Sequence, residues 1–406
     1  MADKKTIWII NQYATTLDTG MGGRQYYFAK ELAEKGHTVY LIGAGFHHLQ
    51  HTHKDQKQLF EIEEVDGFNF VSVKSSPYSN AHSKKRVLGW FFFSFKLAFL
   101  KSKIPVEPDT IIVSTPSIIS FLGAKFLSKR YKAKLVWDIR DLWPLTLTEI
   151  GGISRNNPFV RLLQFIEDLG CKGSDIVTSN WPLADKHLVT RGLEQHKFHW
   201  LPNGFSSSEF TESEALSDDV KNKIPVDKFL VAYTGTLGTA NAIDVLLDVA
   251  EILKPLTDIG FLIAGGGKEQ VEFEKELVNR QLTNVHYIGP QRKKQVPTVL
   301  SYADACYVGF KDSPIYRFGN SLNKFPEYLA SSKPIIYSIN STYRPVDLAK
   351  CGYTVPAENP EKIAAAIIRL AEADLVDRNA MGENGKRYAF ENFEYKVLAD
   401  KLEQLL

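Results

Sequence analysis

Apolar strand-like runs alternate with helix-like segments along nearly the whole chain, and the alternation runs twice. Thr6–Asn11 reads as a buried strand, followed by a turn at Gly20–Gly23. Gln25–Lys35 reads as a helix, because Tyr26, Ala29, Leu32 and Ala33 recur at helical spacing, and Gly36 suits its C-cap. Thr38–Gly43, Ile111–Thr115, Leu135–Ile139 and Asp175–Ser179 follow as strands. That rhythm predicts an α/β fold with a doubly wound parallel sheet. It stops near Leu201-Pro202-Asn203-Gly204, and the polar stretch Ser206–Lys223 reads as a linker. It restarts with a strand at Phe229–Thr234, a turn at Gly235–Gly238 and a helix at Ile243–Leu253. Strands at Phe261–Ala264, Val285–Ile288, Ala305–Val308 and Ile335–Ser338 complete the second round, and the chain is helical in pattern from Pro360 on. The expected architecture is two Rossmann-like domains, 1–204 and 205–385, with a cleft between them. A terminal helix, 386–406, is expected to return to the first domain. In such sheets ligands sit beyond the carboxyl ends of the strands.

Charge and cysteine usage narrow the function. Across 406 residues, 49 Lys and Arg oppose 47 Asp and Glu, so the net charge of +2 excludes the basic footprint of a nucleic-acid binder. Cys171, Cys306 and Cys351 are far apart, so neither a disulfide framework nor a cysteine zinc site is expected, which fits a cytoplasmic location. The N-terminal apolar run is too short for a signal peptide core. The longest apolar stretch, Val87–Leu100, falls short of the roughly 18–20 residues that span a bilayer.

Nucleotide fingerprints discriminate further. Gly43-Ala44-Gly45 is followed by His48, and Gly20-Met21-Gly22 by Gln25, where a dinucleotide fingerprint needs its third glycine. Gly265-Gly266-Gly267-Lys268 lacks both the leading glycine, at Leu262, and the hydroxyl, at Glu269, of a phosphate loop. The turns at Gly22-Gly23 and at Gly235-Thr236-Leu237-Gly238 each precede a helix and can turn backbone N–H groups toward a diphosphate.

The run Asn320-Ser321-Leu322-Asn323-Lys324-Phe325-Pro326-Glu327, continuing Tyr328-Leu329-Ala330-Ser331-Ser332-Lys333-Pro334, resembles the signature of retaining GT-B glycosyltransferases of family four. Gly22-Gly23 followed by Gly36-His37-x-Val39, Leu201-Pro202-Asn203-Gly204-Phe205, and Asn284-Val285-His286-Tyr287-Ile288-Gly289 match further family pieces in order. Asp138-Ile139-Arg140-Asp141-Leu142-Trp143-Pro144 and Tyr233–Gly238 resemble a subgroup of bacterial O-antigen and capsule enzymes, including N-acetyl-L-fucosamine transferases. The resemblance implies a retaining, metal-independent transferase with no cofactor. It would move a sugar, an N-acetylated hexosamine or its 6-deoxy form, from a UDP-sugar to a saccharide on a polyprenyl diphosphate. That step belongs to O-antigen, capsule or exopolysaccharide synthesis.

The resemblance also assigns roles. Glu327 takes the donor ribose, because an ionised carboxylate accepts from both hydroxyls of a vicinal diol. Gly289, Pro290 and Gln291 lie by the base. The family's first glutamate is replaced here by Gly319, and its diphosphate-binding Arg and Lys by Thr236 and Asn241. Lys324 and Arg317 are the nearest cations to replace them, and backbone near Gly319–Leu322 is left to meet the sugar. Asp138 or Asp141 can accept a proton from an acceptor hydroxyl, and Arg140 can offset phosphate charge or pair with either carboxylate. His47 and His48 with Trp143 are expected on the acceptor side. His47, His48, His51 and His53 also have zinc-compatible spacings, although a polar loop is the plainer reading. Lys84, Lys85 and Arg86 ahead of Trp90, Phe91, Phe92 and Phe93 read as attachment to an anionic surface, the cytoplasmic face of the inner membrane, or else as a core helix. Two other readings share the fold: a UDP-sugar epimerase, and a degenerate, non-catalytic nucleotide-sugar binder.

Overall fold

The computed structural model describes residues 3–78 and 84–406, Lys84 through its backbone alone. It separates into two compact units, residues 1–202 with 395–406, and residues 203–394. The crossing at Pro202 falls two residues before the expected boundary. The return crossing comes at Tyr395 rather than at 386, because residues 386–392 complete a helix of the second unit, Leu375–Asn392.

The first unit is built on eight strands: β1 (Thr6–Ile10), β2 (Thr38–Ala44), β3 (Phe60–Val65), β4 (Phe68–Val73), β5 (Thr110–Ser114), β6 (Lys134–Ile139), β7 (Ile176–Ser179) and β8 (Phe198–Trp200). Their order is β3-β4-β2-β1-β5-β6-β7-β8. Every pairing is parallel except β3 with β4. The central strands β1 and β5 are apolar and buried nearly throughout, as a sheet covered on both faces requires. The edge hairpin was not anticipated. It turns at Asp66-Gly67, both at positive φ, which matches the twist of paired strands. Three helices matter below: α1 (Arg24–Glu34), α2 (Lys84–Leu97) and α3 (Ser120–Tyr131). The terminal helix Tyr395–Glu403 packs on α1, where Tyr395 stacks on Tyr27 at 4.6 Å and Lys35 pairs with Asp400 and Glu403.

The second unit carries β9 (Phe229–Thr234), β10 (Ile259–Ala264), β11 (Val285–Tyr287), β12 (Ala305–Gly309), β13 (Ile335–Ser338) and β14 (Gly352–Val355). The order is β11-β10-β9-β12-β13-β14, parallel throughout. Stretch 206–223 is no linker. It forms two short helices, Ser208–Thr211 and Asp218–Lys221, inside this unit. Gln295 Nε2 donates to Ala215 O at 3.1 Å and Thr298 Oγ1 to Glu214 O at 2.8 Å, so the stretch is bound down despite its polar composition. Among the described residues no helix is long and apolar enough to cross a membrane.

Candidate functional site

In the second unit the expected donor residues gather at the carboxyl end of β9. Gly235 N–H donates to Ala264 O and Leu237 N–H to Gly266 O, at 2.9 and 2.8 Å, so the Gly235–Gly238 turn lies along the triple-glycine turn. A Cβ at Gly265 would sit 1.8 Å from Gly235 O, and Gly265 has φ 158°. Gly265 and Gly267, whose Cβ would sit 2.6 Å from Leu237 O, permit this backbone approach, which is what the phosphate-loop likeness amounts to structurally. Gly289 closes the row by accepting from Gly265 N–H at 3.0 Å. The half-buried Gly289 and the exposed Pro290 stand at its rim, where Gln291 Nε2 donates back to Ile288 O.

Lys324 opens the helix Lys324–Ala330 and folds over this turn. Its Nζ lies 3.8 Å from the centroid of the Tyr233 ring, 3.4 Å from Asn241 Oδ1, and would be 3.0 Å from a Cβ at Gly235. Among the described residues no carboxylate comes within 4 Å of it. Burial lowers its pKa to about 7, with Glu327 acting in the opposite direction. Asn241 both accepts from Lys324 and donates from Nδ2 to Thr236 O at 3.1 Å. The Gly235–Gly238 turn carries no charged side chain, and the cation beside it comes from the start of the helix Lys324–Ala330.

Glu327, one turn on, is buried and paired with Lys293, which also reaches Glu209 at 3.3 Å. Burial raises the Glu327 pKa and Lys293 works against that rise. Burial works to lower the Lys293 pKa, yet the two carboxylates hold it above the usual lysine range. Neither partner was visible in the sequence, where Glu209 and Lys293 lie in unrelated segments. A lysine bond still leaves lone pairs on the carboxylate for a diol. The loop before the helix is fixed by Asn203, whose Nδ2 donates to Ser321 O and Oγ at 3.1 and 2.8 Å. Asn320 is spent on the Tyr337 hydroxyl, and Gly319, at φ 86°, donates its N–H to Tyr316 O. Leu322 and Asn323 follow in the half-buried to exposed approach to Lys324. Arg317 points elsewhere, capping Pro314 O and lying over Phe318 at 4.3 Å, so the structure does not bring it to Lys324.

The first unit corrects the reading of Asp138. At the end of β6 its buried carboxylate receives Arg24 at 3.1 Å, Ser114 at 2.8 Å, Thr178 at 2.9 Å and Gln25 at 3.3 Å. Burial opposes ionisation there, but Arg24 and the hydroxyls hold the pKa below the usual carboxylate range. Every lone pair is engaged, so Asp138 is a structural anchor and its ion-pair partner is Arg24, not Arg140. Arg24 also donates to Pro202 O. Arg140 forms no ion pair among the described residues. It donates to Gln25 Oε1 at 3.3 Å, and its Nε is buried without an acceptor. Asp141 is half-buried, has no side-chain donor among the described residues, and has a pKa raised by burial despite Arg140. Of the two aspartates it is the one with free lone pairs. Gly22 is pressed against Tyr26 and Leu17 at φ 65°, whereas a Cβ at Gly23 would meet open space.

An aromatic group forms at the ends of β1 and β2. Tyr13 Oη accepts from Trp90 Nε1 at 2.6 Å and from Arg86 Nε at 3.0 Å. His47 and His48 meet the Tyr13 ring edge-on at 5.4 and 5.6 Å, His48 Nδ1 bonds Tyr78 Oη at 2.9 Å, and Trp143 meets Trp90 at 5.5 Å. His47 is fully buried, bonds Ala14 O through Nε2, and leaves Nδ1 without a partner, and burial lowers its pKa to about 4. Tyr13 and Tyr78 were missed because no local spacing links them to the histidines. Among the described residues no three His, Cys, Asp or Glu side chains gather as metal ligands.

Three of the membrane residues also need correction. Trp90 and Phe93 are buried, and Arg86 turns inward onto Tyr13, while Lys85, Phe91 and Phe92 are exposed. The Lys84 side chain lies outside the described residues.

Comparison with known proteins bears on the family and the fold. Residues 216–388 match the family model "Glycosyl transferases group 1", and residues 19–209 match "Glycosyltransferase Family 4". The chain is 23% identical over 295 residues to "Putative colanic acid biosynthesis glycosyl transferase WcaI" of Escherichia coli (strain K12), covering 70% of this chain and 72% of that one. Sucrose-phosphate synthase from Thermosynechococcus elongatus superposes with a TM-score of 0.76 at 16% identity, covering 99% of this chain and 98% of that chain. Anabaena HepE, solved in complex with UDP and glucose, superposes with a TM-score of 0.67 at 13% identity, covering 99% of both chains. With a family-four segment spanning most of the first unit and a group-1 segment spanning most of the second, the chain belongs to the glycosyltransferases of the GT-B fold.

Proposed function

We propose that this glycosyltransferase takes a UDP-sugar as donor and transfers the sugar with retention to a saccharide carried on a polyprenyl diphosphate. The observation that carries the reading is Lys324: a half-buried amine held against a glycine turn, with no carboxylate paired to it among the described residues and with Glu327, the carboxylate read as the ribose ligand, one helical turn away. A diphosphate satisfies such a cation with short charge-assisted bonds. No metal cofactor enters this reading, since Lys324 and the turn's N–H groups meet the leaving group's charge. The acceptor oxygen attacks the anomeric carbon as the bond to the diphosphate breaks, on the same face, and its proton passes to the departing diphosphate oxygen. Asp141 accepts a hydrogen bond from the acceptor hydroxyl, and the group around Tyr13, His47, His48 and Trp143 offers aromatic edges to a sugar ring.

HepE, solved with UDP and glucose, supports the donor class, and the name of WcaI, given for colanic acid biosynthesis, supports a biosynthetic transferase; this chain's place at the cytoplasmic face of the inner membrane, in O-antigen, capsule or exopolysaccharide synthesis, is part of the same proposal. The transferred sugar is read as an N-acetylated hexosamine or its 6-deoxy form. The test is the melting temperature of the protein with UDP, GDP, ADP, CMP and NAD in turn. A ligand bound by the folded state alone adds about 2.7 kcal/mol at a hundredfold excess over its Kd. A shift with UDP alone is expected. A shift with another nucleotide replaces the donor, and conversion of a UDP-sugar without any acceptor makes the protein an epimerase instead.

A further inference from the structure

Helix α2 has two apolar faces, and a helix that packs against a domain needs only one. Trp90, Phe93 and Leu97 face inward and are almost wholly buried. Ser94 on the same side meets α3, accepting from Gly123 N–H and donating to Ile119 O, both at 3.0 Å. On the opposite side Leu88, Phe91, Phe92 and Phe95 recur at helical spacing, with Phe99 just beyond the helix end. Leu88 is 56% exposed, Phe92 61% and Phe95 67%. On α3, beside the Gly123 contact, Leu122 and Phe126 are exposed as well. Solvent-facing phenylalanines in a row cost solubility and add nothing to the core, so they mark a surface that something covers.

The charge around this face identifies what covers it. From Gly67 to Val106 the sequence holds seven Lys or Arg and no Asp or Glu. From Thr110 to Trp137 it holds five Lys or Arg and again no acid. The rest of the chain is acidic on balance, with 37 Lys and Arg against 47 Asp and Glu, so the basic excess is concentrated here. Lys85, Lys103, Lys129 and Arg130 are exposed, whereas Lys96 is turned back to Lys74 O. The two acids between these stretches are engaged, Glu107 by Lys101 and Asp109 by the Thr6 N–H, and a basic surface with a phenylalanine ridge matches a lipid layer that is apolar inside and anionic at its headgroups.

We propose that the outer face of α2, with the adjoining exposed part of α3, lies on an anionic bilayer, with Phe92 and Phe95 entering the headgroup boundary and the basic residues bonding lipid phosphates. This inference stands on the first unit alone and does not depend on the donor assignment. It revises the attachment read from sequence, since the inserting residues are Phe92, Phe95 and Leu88 rather than Trp90 and Phe93.

The experiment is flotation of the full chain with vesicles of phosphatidylcholine, with and without phosphatidylglycerol. The comparison variants are Phe92→Ser/Phe95→Ser and Lys129→Glu/Arg130→Glu. Wild type is expected to float with the anionic vesicles only. The double Phe variant should bind roughly tenfold or more weakly, as two exposed aromatic side chains no longer leave water. The charge-reversed variant should lose binding at low salt. Both variants should keep the wild-type melting temperature, because the substituted side chains are exposed. Wild type that stays with neither vesicle overturns the proposal. So does a wild-type dimer that the Phe variant converts to monomer without any flotation, which assigns the face to a second copy of the chain. A missing UDP shift leaves this result untouched, so the two readings fail separately.

Discussion

In each unit the first strand is followed by a glycine turn with a basic side chain beside it, yet the two cations meet opposite fates. Arg24, next to Gly23, is buried and consumed by Asp138 and the Pro202 carbonyl. Lys324, against Gly235, finds a tyrosine face and one amide oxygen. The difference is what lies opposite. In the first unit β6 ends in a carboxylate aimed at the arginine. In the second the nearest carboxylate, Glu327, is drawn off by Lys293. A buried cation with its counter-ion is part of the fold, whereas one without remains open to an anionic ligand. A glycine turn alone therefore does not announce a phosphate site; the pairing of the neighbouring cation decides it.

Swapping each cation for methionine tests that contrast most severely. Arg24→Met strands Asp138 in the core and should cost about 3–5 kcal/mol in denaturant unfolding, a price typical of a broken buried pair. Lys324→Met strands nothing, so unliganded stability should hold or rise, while UDP affinity by calorimetry falls roughly 10- to 100-fold. If Arg24→Met unfolds no earlier than wild type, or Lys324→Met binds UDP normally, the contrast collapses.

Protonation sharpens the same comparison. The folded-state pKa of Lys324 is lowered to about 7, below that of an unfolded lysine. Between the two values the unfolded chain binds more protons, so wild-type stability relative to Lys324→Met should rise from pH ~7 to ~9.5. Donor affinity should move the other way, because the diphosphate needs the charged amine. Calorimetry in buffers of different ionisation heat should detect proton uptake on UDP binding above pH ~7. Opposite slopes of stability and affinity are the signature; parallel slopes place the titration elsewhere.

The smallest separation expected is between the two aspartates of the first unit. Asp141→Asn should leave the melting temperature and UDP affinity near wild type and lower turnover by roughly tenfold or more, the loss of one hydrogen bond to a charged group that orients the acceptor hydroxyl. Asp138→Asn should instead show its effect as lost stability. An Asp141→Asn enzyme with full turnover removes Asp141 from the reaction.

Much of the fold was legible because it rests on local periodicity. Ile243–Leu253 and Ile335–Ser338 appear with the bounds read from the apolar pattern, and most other strands shift by a residue or two. The edge hairpin carried a readable signal, Asp66-Gly67 between alternating strands, that was passed over. The segment 206–223 misled because its polarity resembles a linker, while its hold on the second unit comes from backbone carbonyls, which composition does not record. Within the site, Lys324 and Glu327 were readable from spacing. Lys293, Glu209 and Arg24 were not, since each is defined by a partner 34 or more residues away.

By itself the sequence determined the twofold α/β alternation, the family signature and the positions of the chemically able residues, because these depend on neighbours three to eight residues apart. Only the tertiary structure decided which of those residues are available. It closed Asp138 with four donors and left Asp141 open. It turned Trp90 inward and Phe95 outward on one helix. It set Lys324 where, among the described residues, no carboxylate pairs with it. Availability depends on what occupies the space around a charge or a ring, and packing brings those neighbours from distant parts of the chain.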